Sequence, residues 1–213
     1  RNDRNERDAE LFTFGWNTRF EFSDLWGIES DISYSRAERE DFLLESYSGT
    51  GPAGEGATDS FGFILQPNGT YRYVPTLNYA DRNLLVLTDP QGWGAGAGLT
   101  QAGFINNPET EDWLAHLRLS LDRKFTDGPF SQGLIGFDLS RRDKDRTIGQ
   151  NFLTLPNGAT SLPIPDEAII NGSVDLGFIG IPGQVVYDPR YLVDNVYVQV
   201  PIQLSSFNVP QDW

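Results

Sequence analysis

Cysteine and methionine are both absent from this 213-residue chain, and histidine occurs once, at His116. Without thiols there is no disulfide framework, no thiolate metal site and no Cys–His pair for nucleophilic catalysis. A Ser–His arrangement would have to recruit His116, which reads better as a polar strand position. No apolar run approaches the roughly 18 residues of a membrane-spanning helix, and no signal peptide is recognisable. A helical period of 3.6 never persists long enough for a substantial helix. The charged opening Arg1-Asn2-Asp3-Arg4-Asn5-Glu6-Arg7-Asp8, with no initiator Met, reads as the start of an excerpt or a processed product.

Basic residues are scarce, 16 against 30 acidic ones, for a net charge of -14. A field of that sign repels phosphate backbones, so nucleic acid is not an expected partner. Carboxylate neighbours such as Glu109/Glu111/Asp112 and Asp166/Glu167 would serve glycoside hydrolysis in principle. Asp143/Asp145 or Glu38/Glu40/Asp41 would likewise suit Ca²⁺, but EF-hand spacing is missing and an acidic chain generates such clusters by chance. The glycines from Gly92 to Gly98 lack the Lys-Ser/Thr, the buried strand and the helix of a phosphate loop. No catalytic residue, metal or cofactor is expected.

What the chain does have is alternation. From Leu11 to Tyr34, Phe12, Phe14, Trp16, Phe20, Phe22, Trp26, Ile28, Ile32 and Tyr34 fall on one parity, with Ser23-Asp24-Leu25 as a short turn between two strands. From Glu111 to Arg141 the design repeats, Trp113, Ala115, Leu117, Leu119, Leu121, Phe125, Ile135, Phe137 and Leu139 opposing polar residues around Thr126-Asp127-Gly128-Pro129. A period of two places one face against an apolar medium and the other against water. The expected strands, about 11–22, 26–36, 111–125 and 132–142, exceed the usual 5–6 residues and suit the roughly 9–11 of a membrane-barrel strand. Long loops, about 38–110 and 143–213, all leave from the side opposite the short turns, as in outer-membrane barrels. Half-buried strands of a soluble sandwich also alternate, so a secreted or surface β-sandwich for adhesion or carbohydrate binding is the alternative.

Several segments carry a resemblance. Asn5-Glu6-Arg7-Asp8 before a long strand, Asp31 to Arg39 after the turn, Leu87-Thr88-Asp89-Pro90 with Gly92-Trp93-Gly94, Asp138 to Lys144, and Gly177 to Gly183 running into Tyr187-Asp188-Pro189 together resemble the barrel of TonB-dependent receptors. The likeness is to the large receptor group of Caulobacter- and sphingomonad-type bacteria. It implies a 22-stranded barrel in the bacterial outer membrane, filled by a plug domain and importing a scarce nutrient with energy from the TonB complex. No plug or TonB-contacting box is recognisable here, and four strands cannot close a barrel, which needs about eight. The expected fold is therefore all-β: two long transmembrane hairpins with extracellular loops, a slice of a larger receptor whose plug, remaining strands and surrounding lipid are its partners.

Within that expectation parity assigns roles. Phe12, Phe14, Trp16, Phe20, Phe22, Trp26, Ile28, Ile32, Leu117, Leu119, Leu121, Ile135, Phe137 and Leu139 would touch lipid. Trp26, Phe125, Tyr34 and Trp113 would contribute to aromatic girdles. Asn17, Arg19, Glu21, Glu29, Asp31, His116, Arg118, Asp122, Lys124 and Asp138 would face the lumen. In the loops, Phe61-Gly62-Phe63-Ile64-Leu65 and Thr70-Tyr71-Arg72-Tyr73-Val74 around an Asn-Gly predict a small hairpin. Tyr71, Tyr73, Tyr79 and Trp93 are the candidate ligand platform, against the plainer reading that they pack the loop on itself. Oligosaccharides and iron chelates both fit the resembling group, and aromatic loops lean toward neutral sugars.

Overall fold

Extended backbone with alternating side chains can satisfy its N–H and C=O groups only by pairing with neighbouring strands. The computed structural model describes residues 1–202, apart from the side chains of Asn171, Gly172, Ser173 and Pro182. It is mostly antiparallel β, 61% strand and 8% helix, in sheets that do not close. The strands are β1 (Asn2–Ser23), β2 (Trp26–Ser46), β3 (Ser48–Gly49), β4 (Gly62–Leu65), β5 (Tyr71–Val74), β6 (Val86–Thr88), β7 (Gln101–Lys124), β8 (Gln132–Thr154), β9 (Ser161–Pro163), β10 (Ile169–Leu176), β11 (Ile181–Tyr187) and β12 (Val198–Pro201). Besides three single-turn 3-10 segments, the described residues hold a short helix, α1 (Pro189–Asn195), which begins with Asp188 accepting the Arg190 N–H.

The main sheet has the order β1-β2-β7-β8-β12. Its first four strands hold 22, 21, 24 and 23 residues. The expected ends are thus corrected: β2 continues past residue 36 to Ser46, β7 already begins at Gln101, and β8 runs on to Thr154. The loop expected at about 38–110 is correspondingly shorter, and the part of the 143–213 loop beyond residue 202 lies outside the described residues. Charge on both parities hides this continuation. Backbone pairing is indifferent to side-chain type, and cross-strand ion pairs satisfy the charges. Pro108 adds to the disguise, because a proline inside a run argues against a central strand.

The short turns follow local chemistry. The Ser23 hydroxyl accepts the N–H groups of Leu25 and Trp26 at 3.3 and 3.1 Å, closing the β1–β2 turn. In the longer β7–β8 connection Phe125 N–H bonds Ser131 C=O at 2.9 Å, and Gly128 supplies a φ of 102° that other residues resist.

Two compact units divide the chain. The hairpin unit is Arg7–Asp41 with Pro108–Ile148; the loop unit is Arg1–Glu6, Phe42–Asn107 and Gly149–Trp213. The hydrophobic core belongs to the loop unit, where Leu44, Leu87, Ala102, Ile105, Leu153, Leu155, Ile164, Tyr187 and Leu192 are buried together. The apolar segment after β8 supplies much of this core. Two buried phenols are satisfied in it: the Ser46 hydroxyl lies 2.6 Å from Tyr197 OH and 3.3 Å from Tyr187 OH. Burial raises both phenols above their ordinary range.

Glycine marks where this packing is tightest. A Cβ at Gly103 would lie 2.5 Å from the Glu45 carbonyl oxygen and 2.9 Å from Leu153. Gly15, also within a long strand, has open space around it. We expect Gly103→Val to lower stability by about 1–3 kcal/mol through overpacking, and Gly15→Ala to be near neutral. Denaturant unfolding followed by tryptophan fluorescence checks both, and equal midpoints for the two variants would contradict the assignment.

Candidate functional site

In the hairpin unit the two parities separate into two unlike faces. Phe12, Phe14, Trp16, Phe20, Phe22, Ile32, Ile135, Phe137 and Leu139 are all exposed, although they are large and apolar. Ile28, Leu117, Leu119 and Leu121 of the same parity sets are partly exposed. Aromatic pairs mark both ends of this face. Near the β1–β2 turn Phe22 stacks on Trp26 at 6.4 Å, and the Arg123 guanidinium lies over Trp26 and Phe125 at 4.9 and 5.2 Å. At the other end Phe12 meets Tyr34 at 6.3 Å, and Arg141 lies over Trp113 at 5.5 Å. Just beyond, Arg36 pairs with Glu38 and, at 2.8 Å, with Glu111.

The opposite face is a polar ladder. Asn17 donates to Asp31 at 3.1 Å, Asp31 lies 3.6 Å from His116 Nδ1, and His116 Nε2 is 2.9 Å from Asp138. One chain of contacts therefore crosses β1, β2, β7 and β8. Arg19 joins Glu21, Glu29 and the buried Asp122 at 3.6, 3.9 and 3.7 Å, and Lys124 reaches Glu21 at 3.9 Å. Asp122 lies directly over Gly27, where a Cβ would come within 2.6 Å of its oxygen. Arg118 and Asp138 share a shallow depression on the same sheet. Leu114 is exposed on this parity and breaks the alternation.

Sequence reasoning missed the ladder's further members. Asp41, nearly buried, accepts from Arg7 Nε at 2.7 Å and Arg39 Nε at 2.8 Å. Hydrogen bonds from Arg39 first and Arg7 second hold its carboxyl below the ordinary range. Arg142 Nε donates to Asp112 at 2.9 Å. The odd parity of Arg7, Arg39 and Asp41 was the available signal, obscured by charges on the even positions between them.

In the loop unit the expected platform divides. β4 and β5 form the hairpin, with Phe63 opposite Tyr73 and Leu65 opposite Tyr71. Phe61 touches both Tyr73 (6.1 Å) and Tyr79 (6.2 Å), while Tyr71 meets Phe63 at 5.8 Å. Trp93 stands apart from these three tyrosines, edge-on to Tyr47 at 5.2 Å. Of the four candidates, Tyr79 alone lines the main cleft described in this unit. That cleft, about 470 Å³, is bounded by residues of the 48–58 loop, Leu77, Leu85, Pro90, Gln184 and Arg1.

Two carboxylates fix the walls. Asp59 accepts the Thr76 N–H at 2.8 Å, the Thr76 hydroxyl at 2.7 Å, the Leu77 N–H at 3.2 Å and the Tyr79 hydroxyl at 2.6 Å. Burial pushes the Asp59 carboxyl up, but these donors outweigh it and bring it down to about 2. Burial and the same carboxylate push the Tyr79 hydroxyl up to about 12. Asp89 accepts the N–H groups of Gln91 (3.2 Å), Gly92 (2.8 Å) and Gly94 (2.7 Å). The glycine-rich loop thus closes its donors on a carboxylate of its own, the place a phosphate would need.

Replacing Asp59 by Asn removes the negative acceptor, so amide exchange at Thr76 and Leu77 should become several-fold faster. The pH dependence has a definite sign. The folded value of about 2 lies below the unfolded value of about 3.9, so this contribution is present above pH ~3.9 and lost as pH falls through about 2. Unchanged exchange in Asp59→Asn, or protection that instead declines on raising the pH through neutrality, would contradict it.

No family model matches the chain, and no curated protein matches it. What it does has to be argued from the two faces and the cleft themselves.

Proposed function

We propose that this chain is part of the β-barrel of a TonB-dependent receptor in the bacterial outer membrane. It would bind a scarce nutrient, an oligosaccharide or an iron chelate, and admit it without covalent chemistry. The observation that carries the reading is the exposed apolar face of the hairpin unit, edged by aromatic rings and then by charge. Water penalises such a face by about 25 cal/mol per Å² of apolar surface. Lipid does not.

Dimensions support the same reading. The apolar runs, Phe12 to Phe22 and Trp26 to Tyr34, suit the roughly 9–11 residues of a strand tilted across hydrocarbon. A 22-residue strand such as β1 is about 70 Å long at about 3.3 Å per residue, so its charged half would project beyond the bilayer. Arg123 and Arg141 lie over girdle rings, positions from which a guanidinium reaches the headgroups. The polar ladder would line the lumen, where plug and water are its neighbours. The outer edge of β1, and that of β8 before its pairing with β12 at Asn151–Thr154, would pair with the remaining barrel strands, since an unpaired edge in hydrocarbon costs several kcal/mol per group.

The test uses the native polypeptide. It should fractionate with outer membranes, require detergent, and migrate differently on a gel with and without boiling. Arg at Phe14 or Leu119 should destabilise the lipid-folded protein by roughly 2–4 kcal/mol. A polypeptide soluble and monodisperse without detergent would overturn the reading in favour of a β-sandwich.

A further inference from the structure

We infer that the cleft beside Tyr79 is a binding site for a neutral, hydroxyl-rich ligand of saccharide type. The inference deepens the receptor reading and rests on it for the ligand's passage into the cell. Binding itself depends only on the loop unit.

The lining is unusual for this chain. Although acidic residues outnumber basic ones 30 to 16, among the described residues no carboxylate side chain borders the cleft. Its one cation, Arg1, is already paired with Asp3 and Glu45, each at 3.0 Å. A cationic ligand would find no counter-charge, and an anionic iron chelate would meet one neutralised guanidinium within a strongly negative protein. What remains is uncharged polarity: the Thr58 hydroxyl, the Gln184 amide, and backbone brought to the surface by Gly51, Gly54 and Gly56. Leu77, Leu85 and Tyr79 supply apolar wall. Side-chain and backbone donors and acceptors next to an aromatic ring match a sugar, which presents hydroxyls at its rim and C–H groups on its faces.

The site is also built in advance. Tyr79 is fixed by Asp59 and by stacking on Phe61, and its carbonyl accepts the Val185 N–H at 2.9 Å. The Thr50 hydroxyl bonds Ala57 C=O at 3.1 Å, and Ala53 N–H bonds Asp89 C=O at 3.2 Å, tying the 48–58 loop to itself and to the next wall. Walls that need no ordering on binding spare the ligand that entropic cost. The volume, about 470 Å³, lies within the roughly 300–1,000 Å³ of small-molecule sites.

The experiment is binding of the intact detergent-solubilised polypeptide to an array of neutral oligosaccharides (α- and β-glucans, xylans, galactans and mannans), with ferric citrate and a ferric catecholate siderophore alongside. A neutral oligosaccharide should bind, and the iron chelates should not compete for it. Ala57→Trp, which fills the cleft from an exposed position, should weaken that binding about tenfold or more. Gln184→Ala should weaken it several-fold. Gel heat-modifiability, recorded on the same samples, verifies folding and tests the barrel separately. An outer-membrane, heat-modifiable protein that binds none of the neutral glycans, or binds them equally well with Ala57→Trp, overturns this inference and leaves the receptor reading standing. Cleft-dependent glycan binding by a polypeptide that proves soluble does the reverse.

Discussion

An apolar sheet face with no cover is the constraint on which the rest of this structure depends. Soluble monomers rarely expose contiguous apolar patches beyond a few hundred Å². Here Phe12, Phe14, Trp16, Phe20 and Phe22 stand exposed on a single strand, with Ile135, Phe137 and Leu139 exposed on another. A sandwich would need a second sheet packed about 10 Å above that face. Among the described residues of the hairpin unit, nothing supplies one. In the receptor reading proposed above, the cover is the medium itself, a bilayer, which accepts a band of apolar side chains without the cost that water imposes.

The opposite face then has to hold charge without waste. Asn17, Asp31, His116 and Asp138 form one contact chain across four strands, and Arg19, Asp122 and Glu29 form another. Exposed ion pairs of this kind contribute little each, typically under about 1 kcal/mol. Their value is in register. A slip of one residue would turn every ladder member to the apolar side and every Phe to the polar one, so the two faces specify the same alignment from opposite directions.

How much of this was legible follows from what each signal depends on. The hairpins between Leu11 and Tyr34 and between Glu111 and Arg141 were readable because one parity is apolar. The continuation of β2 through Arg39 and Asp41, and of β8 through Arg146, was not, because both parities are polar and the pairing is carried by backbone. The Gln66-Pro67-Asn68-Gly69 turn named its own hairpin. The grouping of Tyr73 with Tyr79 through Phe61, and the isolation of Trp93 against Tyr47, depend on loop folding that alternation cannot report. Asp59 and Asp89 were two acidic residues among 30 until the structure placed them against backbone donors.

Those two aspartates bear on why so acidic a chain keeps a cleft that, among the described residues, no carboxylate borders. A loop lacking long strands leaves N–H groups without ladder partners, and each must find an acceptor or lose free energy. Asp59 answers for Thr76 and Leu77, Asp89 for Gln91, Gly92 and Gly94. Both carboxylates are consumed in making the walls and point their charge into the loop backbone. What the cleft presents is then the other side of that arrangement: glycine backbone, the hydroxyls of Ser48, Thr50 and Thr58, an amide and a ring held in place. Rigidity and neutrality have one cause, which is why a change at Asp59 should be felt at Tyr79 and a change at Ala57 should be felt only by a ligand.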